Sequence, residues 1–226
     1  MKYFASLPLA AFFVLGSARL AASADTPHDF GKWEKEIAAY EQADRTNPPP
    51  AGSLVFIGSS TIRMWKTLAQ DFPQQRVLNR GFGGSEIVDS THFAERIIFP
   101  YLPRMVFLRA GGNDLWAGKS PEQVFTDFKD FVAKVQSKLP ETEIAFISLS
   151  PSIARWKQAE KEKALNASIE KYIQGKRRLK YIDTYAMVLG SDGQPRPELF
   201  IADGLHFNAE GYKLLAERVR PFIPNP

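Results

Sequence analysis

Three residue types whose combination does nucleophilic chemistry stand at the two ends of this chain. A serine follows an apolar strand in Leu54-Val55-Phe56-Ile57-Gly58-Ser59-Ser60-Thr61, and an acid and a histidine share Asp203-Gly204-Leu205-His206. A serine hydroxyl attacks a carbonyl only when an imidazole takes its proton, and a carboxylate is needed to fix the imidazole tautomer and steady the imidazolium. The chain has 3 histidines. His28 lies in a polar N-terminal segment and His92 inside an expected helix, which leaves His206 with Asp203 three residues away. Taken singly, Ser60 reads as a helix cap and Asp203-Gly204 as a turn. The combination points to Ser60, Asp203 and His206 as a catalytic set.

Two glycine-rich loops complete it. Asn79-Arg80-Gly81-Phe82-Gly83-Gly84-Ser85 follows the apolar Val77-Leu78, and Gly111-Gly112-Asn113-Asp114 follows Met105-Val106-Phe107-Leu108. Both leave the carboxyl ends of strands, the edge at which open α/β sheets bind ligands. The Ser60 N–H, the Gly84 N–H and the Asn113 amide are therefore the expected oxyanion hole, whose donors act on charge that develops in the transition state.

With these four segments in order, the chain resembles the SGNH hydrolases, the GDSL esterases and lipases, over about residues 53–211. The resemblance implies Ser60 as nucleophile, Gly84 and Asn113 as oxyanion donors, and Asp203 with His206 completing the triad. It also implies a five-stranded, flavodoxin-like three-layer α/β/α sandwich. The chain departs from the family's namesake block in carrying Ser59 where that block has Asp, and Ser59 is the rival nucleophile.

Other motifs fail. Gly81-x-Gly83 would need a third glycine at Glu86 to be a dinucleotide fingerprint, and neither a P-loop nor a G-x-S-x-G elbow occurs. With no cysteine, no H-E-x-x-H and no clustered histidines, a metal site built on Asp114, Asp203 and His206 is set aside, and neither metal nor cofactor is expected.

The elements that must position these groups follow from periodicity. Strands are expected from about 53 and at 76–79, 104–109, 143–149 and 179–184. Helices are expected at 60–70, 85–98, 120–138, 157–174 and 208–221. This alternation argues a parallel sheet with helices on both faces, and apolar runs such as Ile144-Ala145-Phe146-Ile147 fit strands buried on both sides. Ahead of the hydrolase domain (53–226), residues 25–52 read as a helix over 29–43 followed by the stiff connector Asn47-Pro48-Pro49-Pro50-Ala51-Gly52.

Residues 1–24 read as a signal peptide: Lys2, an uncharged stretch from Tyr3 to Ala18, and the small-residue cleavage pattern Ala22-Ser23-Ala24. The stretch is short of the roughly 20 residues that a spanning helix needs, so export without a stable membrane anchor is expected. The 226 residues are 44% hydrophobic and 24% charged, the size of one domain. Lys and Arg number 29 against 25 acids, net +4; loss of Lys2 and Arg19 with the leader leaves +2, no footprint for nucleic acid. The basic run Lys176-Arg177-Arg178-Leu179-Lys180 reads as a solvated helix end.

Three of the 4 tryptophans follow expected strand ends. Trp65, Trp116 and Trp156, with Arg63, Arg80 and Arg155, are candidates to line the cleft and engage sugar rings, acyl chains or polar groups of a substrate. Arg109 closes an apolar strand and either reaches the cleft rim or pairs with an acid such as Asp114. The reading is an exported esterase acting on a small-molecule, glycan or lipid ester; its rivals are an O-acyltransferase on glycans and a non-catalytic glycan- or lipid-binding relative. Oligomeric state is left open.

Overall fold

The computed structural model describes Met1 and residues 28–225; nearly all of the expected leader, 1–24, lies outside them. Five strands, β1 Leu54–Gly58, β2 Val77–Gly81, β3 Met105–Arg109, β4 Glu143–Ile147 and β5 Leu179–Ile182, pair in parallel in the order β2-β1-β3-β4-β5. This is the flavodoxin-like order, whose direction of winding reverses between β1 and β3. All five residues of β1 and of β3 are buried, which is why these strands read as unbroken apolar runs.

Side chains alternate along each strand and divide the core in two. Val55, Ile57, Val106, Leu108, Ile144 and Phe146 face one layer, and Leu54, Phe56, Met105, Phe107, Ala145 and Ile147 face the other. The first layer is built by α1 (Glu34–Thr46), α4 (Ile87–His92), α5 (Ala94–Ile97), α7 (Pro121–Lys138) and α8 (Ala159–Ile173). The second is built by α2 (Ser60–Arg63), α3 (Leu68–Asp71) and α9 (Ala209–Val219); the short α6 (Gly112–Trp116) sits at the end of β3. The three-layer α/β/α sandwich is thus the architecture.

Local chemistry starts and stops these helices. Ser120 and Gln123 exchange hydrogen bonds with each other's backbone N–H in a capping box, Pro121 takes the first helical position, and Val124, Phe128, Phe131, Val132 and Val135 form a stripe of helical period that buries α7. Two expected helices are shorter than their patterns. The one over 60–70 breaks between α2 and α3, where the Asn79 amide of β2 donates to the Ile62 carbonyl at 2.6 Å and Trp65 Nε1 donates to Asp71 at 2.6 Å. The one over 85–98 divides at Phe93 into α4 and α5.

The N-terminal helix is not a detached preface to the domain. Trp33 and Ile37 are buried in the main core, Trp33 Nε1 donates to the Gly83 carbonyl at 2.8 Å and the Tyr40 hydroxyl to the Gly81 carbonyl at 2.5 Å. His28 meets the buried Asp89 at 2.7 Å. The segment therefore braces the loop that follows β2.

The end of β1 is a position that admits only glycine. Gly58, the last residue of β1, has φ +136°, and a Cβ there would lie 2.0 Å from the Arg109 carbonyl oxygen. Gly58→Ala is expected to destabilise the protein by roughly 3 kcal/mol or more, read as a lowered urea midpoint; an unchanged midpoint would mean that β1 and β3 can separate at no cost.

Candidate active site

Ser60, His206 and Asp203 come together where the strand order reverses. Ser59 caps α2, its N–H bonded to the Arg109 carbonyl at 3.1 Å, and Ser60 is the first residue of the helix. The first N–H groups of a helix have no intrahelical acceptor. Among the described residues the Ser60 N–H has none elsewhere either. His206 Nε2 lies 2.9 Å from Ser60 Oγ, and His206 Nδ1 lies 2.6 Å from Asp203 Oδ2. The other Asp203 oxygen accepts the backbone N–H of Leu205 at 2.8 Å and of His206 at 2.9 Å. The Asp-x-x-His turn thus folds around its own carboxylate.

Electrostatics fix the direction of these bonds. Burial acts to raise the Asp203 pKa, but hydrogen bonds from the His206 ring and from two backbone N–H groups outweigh it and hold the carboxyl at about 2. An ionised carboxylate only accepts, so Nδ1 of His206 carries the proton and Nε2 is left to accept from the Ser60 hydroxyl. Ser59 also lines the cleft, but the imidazole reaches Ser60.

Gly84 has φ +78° and is exposed, and a Cβ there would meet nothing within 4 Å. Among the described residues its N–H has no partner. Asn113, at the start of α6, donates from Nδ2 to the Ser85 carbonyl at 2.9 Å, which ties the second loop to the third. Asp114 also bridges them, accepting the Ile87 N–H at 3.2 Å; burial raises its pKa to about 6.

The cleft beside Ser60 measures about 570 Å³ including the space open to solvent at its mouth. Its lining is dominated by polar groups, among them Thr61, Ser150, Ser152, Gln158 and Glu162, with Leu149, Phe200, Leu205 and Phe207 as the apolar contribution. Arg109 lines it too and does not pair with Asp114. Its guanidinium donates to the Ser148 carbonyl, to Thr184 Oγ1 at 3.0 Å and to Ser150 Oγ at 2.7 Å, and burial lowers its pKa to about 10.

Of the six candidate substrate contacts, Arg155 alone is among the described residues that line the cleft, and two are buried in the core. Trp65 is 1% exposed and packs with Phe56, Phe72 and Tyr212 in the second layer. Arg80 is buried, paired with Asp44 at 2.6 Å and with the Tyr101 hydroxyl at 2.8 Å between the rings of Tyr40 and Tyr101. Trp65 is closed in by Phe72 and by Tyr212 of α9, and Arg80 by Asp44 of α1. Arg63 packs against Gly83. Trp116 and Trp156 are exposed, and Arg155 lines the cleft with its guanidinium 5.0 Å from the Trp116 ring centre.

Glu162 escapes a reading of the sequence because it sits in the buried stripe Ala159, Glu162, Leu165, Asn166, Ile169 of an ordinary-looking helix. The sign it offers is an acid where the period demands an apolar residue. It accepts from Gln158 Nε2 at 2.7 Å, and its other oxygen is buried without a partner among the described residues.

Among the described residues no cluster of His, Cys, Asp and Glu is arranged to hold a metal ion, and no helix is long and apolar enough to cross a membrane.

The Ser60-His206-Asp203 line thus stands at the switch point of a flavodoxin-order sheet. The sequence model of the GDSL-like lipase/acylhydrolase family matches residues 56–214, and the chain belongs to that family. Comparison with curated proteins finds no match. Among solved structures, the chain is similar to a Streptococcus pneumonia protein provisionally described as a platelet activating factor, with 18% identity over 84% of this chain and 92% of that one, TM-score 0.75. It is similar to a GDSL-like lipase from Bacteroides thetaiotaomicron, with 20% identity over 86% and 96%, TM-score 0.68. A variant of an acetyl-xylooligosaccharide esterase from Geobacillus Stearmophilus shares 17% identity over 78% and 97%, TM-score 0.62. At these identities the likeness establishes the fold.

Burial raises the Glu162 carboxyl from its ordinary 4.5 to about 7, against the opposing pull of the Gln158 hydrogen bond and of Arg109 and Arg155. Such a group favours the folded state while protonated, and that stability is lost as pH rises from about 4.5 to about 7. Glu162→Gln is therefore expected to raise Tm by several degrees at pH 8, from a gain of about 3 kcal/mol at most, and to leave it unchanged near pH 4.5. Equal melting curves for the two proteins at pH 8 would contradict the burial argument.

Proposed function

We propose that this protein is an exported serine esterase that cleaves carboxylic esters through an acyl-enzyme. The observation that carries the reading is the 2.9 Å contact between His206 Nε2 and Ser60 Oγ, in a ring whose other nitrogen is held by Asp203. His206 takes the Ser60 proton as Oγ attacks the ester carbonyl. The oxyanion is received by the N–H groups of Ser60 and Gly84 and by the free N–H of the Asn113 amide. His206 then gives the proton to the departing alcohol, water enters, and the same base directs its attack on the acyl-Ser60 ester. Nothing in these steps calls on a metal or cofactor.

The mostly polar lining of the cleft favours a short acyl group, and the exposed faces of Trp116 and Trp156 suit a sugar or another polar alcohol. Export rests on the composition of residues 1–24.

Treatment with a fluorophosphonate is expected to give a single adduct on Ser60 by peptide mapping. Ser60→Ala should take no label and lose at least about 10³-fold in kcat. Ser59→Ala should stay within severalfold of the unsubstituted protein. An adduct on Ser59 would move the nucleophile by one residue, and a folded protein that takes no label would argue for a binding role. Across a series of p-nitrophenyl esters, kcat/KM should peak at acetyl or butyryl; a maximum at long chains would overturn the short-acyl reading.

A further inference from the structure

Asn113 can serve an oxyanion only if its amide nitrogen, and not its oxygen, faces the reacting carbonyl. The two ends of a carboxamide differ little in shape, so this choice must be enforced by neighbours. One neighbour is the Ser85 carbonyl, which accepts from Nδ2 at 2.9 Å. The other is Arg155, whose Nη1 lies 2.9 Å from Asn113 Oδ1. A guanidinium has donors and no acceptor, so it can meet only the oxygen end. Between a pure acceptor on one side and a pure donor on the other, the amide has one satisfactory orientation, and that orientation leaves its second N–H free.

Arg155 is itself held. Its Nη1 also lies 3.4 Å from the Gly112 carbonyl, its guanidinium is 5.0 Å from the centre of the Trp116 ring, and Gln158 Nε2 reaches the same Gly112 carbonyl at 3.3 Å. Gln158 is in turn bonded to the buried Glu162. The segment between β4 and α8 thus grips the peptide on which Asn113 stands. A bond from a cation to the amide oxygen also draws electron density from the amide nitrogen and strengthens its N–H as a donor.

We propose that Arg155 is a positioning residue, acting through the Asn113 amide to set one arm of the oxyanion hole, and not a direct contact to substrate. The inference rests on the reading of Asn113 as an oxyanion donor, and it gives Arg155 a role that the four motif segments do not contain.

The test is a double-mutant cycle on p-nitrophenyl acetate, a small neutral ester that offers an arginine no charge to bind. Asn113→Ala should lose about 10²-fold or more in kcat, the cost of one oxyanion donor. Arg155→Met should lose about 10- to 100-fold in kcat, with KM within about twofold, as expected when a donor is kept but misaimed. Arg155→Lys, which keeps a donor toward Oδ1, should recover part of that loss. In the Asn113→Ala background Arg155→Met should cost nothing more, because the group through which it acts is gone. All variants should retain the Tm of the unsubstituted protein within a few degrees, since Arg155 is only half-buried.

Equal losses for Arg155→Met with and without Asn113 would overturn the proposal. So would an effect confined to KM, or one that appears with anionic esters and is absent from p-nitrophenyl acetate, since either marks a substrate contact. If Asn113→Ala is fully active while Ser60→Ala is dead, the oxyanion reading of Asn113 fails and takes the inference with it. If Asn113→Ala is crippled while Arg155→Met is not, only the role of Arg155 fails.

Discussion

The approach of β1 to β3 at Gly58 is the constraint on which the site depends. These two strands flank the point where the sheet reverses its winding, and here their backbones come closer than any side chain would allow. The closeness lets the Arg109 carbonyl receive the Ser59 N–H, so that the chain turns sharply out of the sheet and starts a helix at Ser60. A larger residue at 58 would push that turn outward and carry the serine away from His206. The same contact places the Arg109 side chain beneath the serine loop, where Ser148, Ser150 and Thr184 hold it.

A site assembled from loops loses its geometry unless the loops are tied together, and here they are tied by backbone carbonyls. Asn113 binds the carbonyl of Ser85, Trp33 that of Gly83 and Tyr40 that of Gly81. In a trans peptide the C=O and the following N–H point in opposite directions. The bond from Trp33 to the Gly83 carbonyl therefore also fixes the Gly84 N–H, on the face away from α1. After β4, Asn166 brackets Leu149 by accepting its N–H at 2.9 Å and donating to its carbonyl at 2.8 Å. These ties use neutral groups, whose strength changes little with salt or pH.

Much of this was legible in the sequence because the signals are local. Unbroken apolar runs mark buried parallel strands, and Ser60, Gly84 and Asn113 each stand a few residues beyond a strand that such a run reveals. Long-range partners left no such mark. Trp65 and Arg80 have the composition of cleft residues and the burial of core ones, because what decides their place is distant chain packing on them: Tyr212 of α9 on Trp65 and Asp44 of α1 on Arg80. The break between α2 and α3 depends on an Asn from the neighbouring strand, which no window of helix propensity contains. Glu162 was hidden for the opposite reason: its helical period is regular, and only the cleft beneath it explains an acid there.

That acid bears on how the cleft handles charge. Arg109 and Arg155 bring two guanidiniums to the lining, and Glu162 is the one carboxylate among the cleft-lining residues. With Glu162 protonated, the lining carries an excess of two positive charges; with Glu162 ionised, the excess is one. Since burial lifts the Glu162 pKa to about 7, the field on a developing oxyanion changes across neutral pH. On the proposed mechanism the positive field that attracts a developing oxyanion also opposes His206 as base, because it disfavours the imidazolium that forms. On that mechanism, loss of the Glu162 proton weakens the attraction for the oxyanion and returns negative charge that steadies an imidazolium.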